Sequence, residues 1–171
     1  MVDRVPPVTR LRPCVALLGV ALASGCGGGD GSGATSGLAL PAQSARAAAA
    51  EIRQVVDGAN SSFAEGEYRR TCSYYTAPMQ RLLTSTIGGA DCPASQKRAA
   101  DQLRDSVSRA QFDAITSYGI ASADVDKHGR FAVAHYGELP RLLAEVPGLT
   151  SRASLRMQRI GGRWLIASLP F

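Results

Sequence analysis

A glycine-rich segment divides this 171-residue chain into a short N-terminal part and a longer part that can fold. Six of the eleven residues at positions 27–37 are glycine. Such a segment cannot bury apolar surface, so it behaves as a flexible tether. The roughly 130 residues behind it are enough for one domain with its own core. We therefore predict a tether over residues 26–43 and a single domain over residues 44–171.

The first 25 residues have the organisation of a leader for export. Three arginines and one aspartate precede a ten-residue apolar run at positions 14–23, and small residues follow this run. A membrane span needs about 20 apolar residues, so residues 1–25 are predicted to be a secretory signal peptide. The stretch Leu22-Ala23-Ser24-Gly25-Cys26 resembles the lipobox of bacterial lipoproteins, whose cysteine is acylated and becomes the first mature residue.

This resemblance implies that Cys26 carries lipid and that the protein is anchored on the extracytoplasmic face of the cell membrane. Ala23 departs from the usual lipobox, in which leucine is most frequent at that position. The alternative is an ordinary secretory signal cleaved near Ala23 and Ser24, with Cys26 present by chance. The tether favours the lipoprotein, because a domain joined to a lipid needs slack.

The charge of the chain does not favour nucleic-acid binding. The formal charge is +5, and removal of the leader leaves 16 basic and 13 acidic residues, or +3. The basic residues are spread along the chain rather than clustered, so we expect no nucleic-acid partner. No Gly-x-Ser-x-Gly motif, phosphate-binding loop or dinucleotide fingerprint is present, so we expect no cofactor.

Two cysteines remain for the folded domain, because one lies in the leader and Cys26 is the lipidation candidate. Exported domains usually pair their cysteines, so we predict a disulfide between Cys72 and Cys92. A metal site is the alternative, but His128 and His135 form no Cys/His cluster with ligand spacing. We therefore expect no metal and a structural or solvent-exposed role for both histidines.

Helical periodicity dominates the first half of the domain. Apolar residues recur at helical spacing from Ala48 to Phe63, which predicts a helix over residues 44–65 with Gly66 as its stop signal. Pro78 suits the first turn of a helix, Gly88-Gly89 forms a loop, and Ser95 is a candidate N-cap. Three further helices are predicted over residues 67–75, 79–84 and 95–109.

The second half of the domain has the features of strands. Residues 112–125 are rich in β-branched and small residues and lack a helical stripe, and residues 126–129 form a turn. Gly161-Gly162 separates two strand-like segments and makes the clearest hairpin of the chain. Helices first and antiparallel strands last predict an α+β fold. The later strands are predicted over residues 130–136, 151–160 and 163–169.

This order of elements resembles the small exported members of the NTF2-like superfamily, which are found as lipoproteins in high-GC Gram-positive bacteria. The resemblance covers residues 44–171 and is carried by the helical motif at residues 67–72, by Cys92-Pro93, and by residues 155–166, where an aromatic follows the turn. It implies that N-terminal helices pack on a curved antiparallel sheet and form a cone. It also implies a pocket at the open end and a disulfide between the two cysteines.

The resemblance implies a domain that binds, without catalysis, either a small apolar ligand or another envelope protein. The alternative is an isomerase- or cyclase-like enzyme, with Asp113 or Asp124 as the base and a tyrosine such as Tyr74 as the hydroxyl donor. The candidate residues for the cavity or its mouth are Tyr75, Tyr118, Tyr136, Leu142 and Trp164.

The connection at residues 137–150 is long and rich in leucine. We expect a short helix that packs over the core. The alternative is a lid or contact surface at the mouth of the cone, since long connections often carry function.

Overall fold

A computed structural model of the protein describes residues 42–144, 146 and 153–168. The predicted leader, Cys26 and nearly all of the tether lie outside the described residues. Within the described part, five α-helices precede a four-stranded antiparallel sheet. The chain is therefore an α+β protein, as the sequence predicts.

The helices begin and end at clear local signals. The Thr76 side chain accepts a hydrogen bond from the Met79 amide, so α3 begins at Ala77 rather than at residue 79. Asp91 does the same for the Ala94 amide at 2.9 Å, so α4 begins at Cys92 and Ser95 is not its cap. The five helices are α1 (Ala42–Ala64), α2 (Tyr68–Ser73), α3 (Ala77–Ile87), α4 (Cys92–Ser106) and α5 (Arg109–Thr116).

The expectation of an extended segment over residues 112–125 is wrong for its first five residues, which belong to α5. A capping box starts this helix, because the Ser108 hydroxyl accepts from the Gln111 amide while the Gln111 side chain accepts from the Ser108 amide. Phe112 is buried and stacks on Phe63 of α1, with ring centroids 6.4 Å apart. Capping and packing together outweigh the weak helical pattern of this segment.

The sheet has the strand order β1-β2-β3-β4, and every neighbouring pair is antiparallel. Asp126 closes the first hairpin by accepting hydrogen bonds from the Arg130 and Phe131 amides. Gly161 and Gly162 close the last hairpin with φ of +58° and +80°, which side-chain-bearing residues rarely adopt. The strands are β1 (Ile120–Val125), β2 (Phe131–Tyr136), β3 (Ser154–Ile160) and β4 (Arg163–Ile166).

The main core lies between α1 and one side of the sheet. Helix α1 contributes a stripe that includes Ile52 and Val56, and the strands contribute alternating residues that include Leu155, Trp164 and Ile166. Trp164 is only 2% exposed, so the last strand directs this side chain into the core.

The outer edge of β4 is paired with the segment that follows α2. The Thr76 amide donates to the Ile166 carbonyl at 3.0 Å, and the Ile166 amide donates to the Tyr74 carbonyl at 2.8 Å. Tyr75 thereby forms a parallel bridge with Ile166. This pairing covers a strand edge and fixes Tyr75 beside the sheet.

A disulfide joins Cys72 in α2 to Cys92 at the start of α4, with a Cα–Cα distance of 6.1 Å. The predicted pairing is confirmed. Both cysteines are buried beside Met79 and Leu83 of α3, so helices α2, α3 and α4 share a second apolar cluster.

The connection after β2 forms a short 3-10 helix at Arg141–Leu143. Leu143 is fully buried, whereas Leu142 is 49% exposed and its carbonyl accepts a hydrogen bond from Gln111 of α5. These residues pack on the domain, in agreement with the expected short helix over the core. The lid hypothesis for the whole of residues 137–150 stays a prediction, since residues 145 and 147–150 lie outside the described part.

Candidate functional site

A cavity of about 240 Å³ lies between the helices and the inner side of the sheet. Helix α1 supplies one wall, because Val56, Ala59, Asn60 and Phe63 follow one another at helical spacing along its inner face. The other helices and the sheet close the remaining sides with mainly apolar residues, including Leu83, Ile87, Ile115, Leu155 and Ile166.

Two tyrosines, Tyr75 and Tyr136, contribute hydroxyl-bearing rings to the lining of the cavity. Tyr75 arrives from the segment paired with β4, and Tyr136 arrives from the end of β2. Burial raises the pKa of Tyr75 to about 12, and the nearby Tyr136 adds to that rise. Burial likewise raises the pKa of Tyr136 to about 12, with a smaller contribution from Tyr118. Both phenols are therefore uncharged hydrogen-bond donors at neutral pH.

Gln96 of α4 is a further polar residue of the lining, which also includes Asn60, Thr116 and Ser168. It is only 4% exposed, yet its side-chain amide makes no hydrogen bond to any residue that the structure describes. Asn60 differs, because its amide nitrogen donates to the Tyr118 carbonyl at 3.1 Å. Gln96 thus offers an unused donor and an unused acceptor to the interior.

Gln96 is not among the site residues predicted from the sequence, although the chain contains a signal for it. Gln96 precedes Ala99, Ala100 and Leu103 by three, four and seven residues, so it lies on the apolar stripe of α4. A polar residue within an apolar helical stripe is the pattern that indicates a buried polar group.

The two candidate bases lie away from the cavity. Asp113 is exposed and 4.0 Å from Arg109, and Asp124 is exposed and 3.0 Å from His135. The described lining of the cavity contains no aspartate, glutamate, histidine, lysine or arginine. The carboxylate–tyrosine pair that an isomerase-like mechanism requires is therefore not assembled among these residues.

The remaining candidate residues occupy other positions. Tyr118 stacks on Tyr136 at a centroid distance of 5.0 Å and donates its hydroxyl proton to the Gly137 carbonyl, so it supports the cavity wall from behind. Leu142 lies on the surface of the 3-10 helix. Trp164 lies in the core and borders a separate surface depression beside Tyr74.

The described residues form neither a metal-binding cluster nor a membrane-spanning helix. Among residues 42–144, 146 and 153–168, no group of three or more His, Cys, Asp or Glu side chains is arranged to hold a metal ion. No helix in this described part combines the length and the hydropathy that crossing a membrane requires.

Comparison of the chain with known protein families, with curated proteins and with solved structures found no significant match.

Proposed function

We propose that this protein is a lipid-anchored, extracytoplasmic binding module of the NTF2-like type, which holds a small and mainly apolar ligand in its internal cavity. The cavity of about 240 Å³ with mostly apolar walls is the observation that carries the proposal. A protein cavity of about 150 Å³ is large enough to bind benzene, so this one suits a ligand of about ten non-hydrogen atoms. The order of helices followed by an antiparallel sheet is compatible with the NTF2-like type.

Binding is favoured over catalysis because the described wall offers no general base. Tyr75 and Tyr136 are ionised only near pH 12, so at neutral pH they donate protons to hydrogen bonds and do not abstract them. The two carboxylates that could serve as a base are exposed to solvent elsewhere.

Filling the cavity provides the test of ligand binding. The exported protein is purified from its own host, and compounds released on denaturation are identified by mass spectrometry. Ala99 lines the cavity, so Ala99→Phe should abolish the co-purifying compound. Ala94 lies exposed on the same helix, so Ala94→Phe is the matched control and should retain it. Equal recovery from both variants would contradict binding in this cavity.

A second candidate function is association with another envelope protein through the outer side of the sheet. Phe131 is 51% exposed, and the exposed Ile160 lies on the same side because Phe131 pairs with Gln158 two residues before it. The double variant Phe131→Ser/Ile160→Ser should then lose partners that cross-link to the wild type. It should leave the cavity ligand in place.

The lipid anchor is tested separately from the cavity. Cells expressing the chain are fed a fatty-acid analogue, and incorporation is compared between variants. Cys26→Ala should lose the label, whereas Cys14→Ala, which removes the cysteine of the predicted leader, should keep it. Equal labelling of Cys26→Ala and the wild type would refute the anchor without bearing on the cavity.

A further inference from the structure

The polar residues that line the cavity indicate which polar groups a ligand can have, whereas the apolar residues indicate only that the ligand is mainly apolar. Gln96, Tyr75 and Tyr136 line the cavity together and come from three different elements. Each of them can hydrogen-bond, and none carries a charge at neutral pH.

Gln96 is the most informative of the three because its position is unfavourable for folding alone. Native proteins satisfy nearly all buried polar side chains. Gln96 is only 4% exposed, and its amide makes no hydrogen bond to any residue that the structure describes. The amide atoms are not fully enclosed, since the enclosed and unpaired polar side-chain atom of the described residues is Trp164 Nε1, so the Gln96 amide reaches the open space of the cavity. An amide in this position is useful when a group inside the cavity completes its hydrogen bonds.

We propose that the cavity selects an uncharged ligand whose apolar body carries a single hydroxyl or carbonyl oxygen, and that Gln96 binds this oxygen. This inference rests on the proposed ligand-binding function and specifies the chemical class of the ligand. The amide nitrogen donates to either kind of oxygen, and the amide oxygen also accepts from a hydroxyl. Tyr75 and Tyr136 add donors to the lining of the cavity.

A charged ligand does not fit this wall. Burying an anion requires a paired cation or a dense set of donors, and burying a cation requires an anionic partner. The described lining supplies neither sign of charge. The high pKa values of Tyr75 and Tyr136 mean that the phenols do not supply a negative charge either.

Four ring compounds of similar size make a direct test: indane, 1-indanol, 1-indanone and indane-1-carboxylate. They have about 9–12 non-hydrogen atoms, which suits a cavity larger than one that holds benzene. Binding is measured by calorimetry with the full exported chain carrying Cys26→Ala, which needs no detergent and changes no described residue. We expect 1-indanol or 1-indanone to bind about three- to tenfold more tightly than indane, the range of one uncharged hydrogen bond. The carboxylate should bind most weakly.

Substitution of Gln96 assigns the preference to this residue. Gln96→Leu should bind indane at least as well as the wild type, and the preference for the oxygen-bearing compounds should fall to about onefold. Gln102 is exposed on the same helix, so Gln102→Leu is the matched control and should keep the preference. Circular dichroism shows whether each variant folds, and the preference of the wild type tests the ligand class even if Gln96→Leu does not fold.

The outcomes separate this inference from the function on which it rests. If indane binds and the oxygen-bearing compounds gain nothing, the ligand class is wrong while ligand binding stands. Tightest binding of the carboxylate would overturn the uncharged class in the same way. An unchanged preference in Gln96→Leu would overturn the role of Gln96. If none of the four compounds binds, both the inference and the proposed small apolar ligand fail.

Discussion

Replacing Gln96 with leucine should make the folded domain more stable. Gln96 is only 4% exposed, and its side-chain amide makes no hydrogen bond to any described residue. Mutational data place the cost of an enclosed, unpaired amide at about 1–3 kcal/mol. The Gln96 amide borders the open space of the cavity, and the enclosed, unpaired polar atom of the described residues is Trp164 Nε1, so the cost at Gln96 lies at the lower end of this range. Leucine has a similar size and adds no polar group, so Gln96→Leu should raise the free energy of unfolding by about 1 kcal/mol.

Gln80 provides a matched control, because its replacement by leucine should lower the free energy of unfolding rather than raise it. Its amide nitrogen donates to the Cys72 carbonyl at 2.8 Å and to the Tyr75 carbonyl at 3.2 Å, so Gln80→Leu removes two hydrogen bonds. This variant should lose about 1–3 kcal/mol. Urea denaturation followed by circular dichroism measures both changes against the wild type. A Gln96→Leu protein that is destabilised as much as Gln80→Leu would show that the native amide is satisfied, and the reasoning about Gln96 would be refuted.

Three other changes test the disulfide, the partly buried Tyr75 and the core tryptophan. The double variant Cys72→Ala/Cys92→Ala should lose about 3 kcal/mol of the free energy of unfolding, because the disulfide closes a loop with a sequence separation of 20. A wild-type urea midpoint that reductant does not change, and that equals the midpoint of the double variant, would contradict this. Burial raises the pKa of Tyr75 to about 12, so its contribution is complete below the unfolded pKa of about 10 and is lost as the pH rises towards 12. At about pH 11 the free energy of unfolding of the wild type should have fallen by about 1.4 kcal/mol more than that of Tyr75→Phe. If the free energies of the two proteins change with pH in parallel, the phenol is not buried. Trp164→Ala should cost about 3–5 kcal/mol, whereas Phe131→Ala at an exposed position should change stability by less than about 1 kcal/mol; similar losses from both would place Trp164 at the surface.

Local signals in the sequence were sufficient for the elements that begin and end with strong residues. The stripe of α1 and the glycine pair at residues 161–162 predict the longest helix and the last hairpin, because each is determined by residues adjacent in sequence. Helix α5 was missed because its stability comes from the Ser108 capping box and from the contact of Phe112 with Phe63. That contact joins residues 49 positions apart, so periodicity within α5 does not indicate it.

The cavity was predictable only in part for the same reason. Tyr75 and Tyr136 could be named as cavity candidates because aromatic residues beside strands often border binding sites. Gln96 lies on the narrow apolar stripe of α4 in the sequence, but the extent of its burial depends on how α4 packs against α2 and α3. The facing of a mostly polar helix is decided by its tertiary contacts, which single-sequence reasoning does not provide.

The disulfide connects the stability of the domain with the chemistry of its cavity. Gln96 follows Cys92 by four residues, about one turn of α4, and Tyr75 follows Cys72 by three residues, just beyond the end of α2. The covalent bond holds the end of α2 against the start of α4, and these two places position the Tyr75 ring and the Gln96 amide on the cavity wall. A hydrogen-bonding group displaced by about 1 Å loses much of its selectivity. We therefore expect the disulfide to maintain the orientation of both groups, so that its loss affects the ligand preference of the cavity as well as the free energy of unfolding.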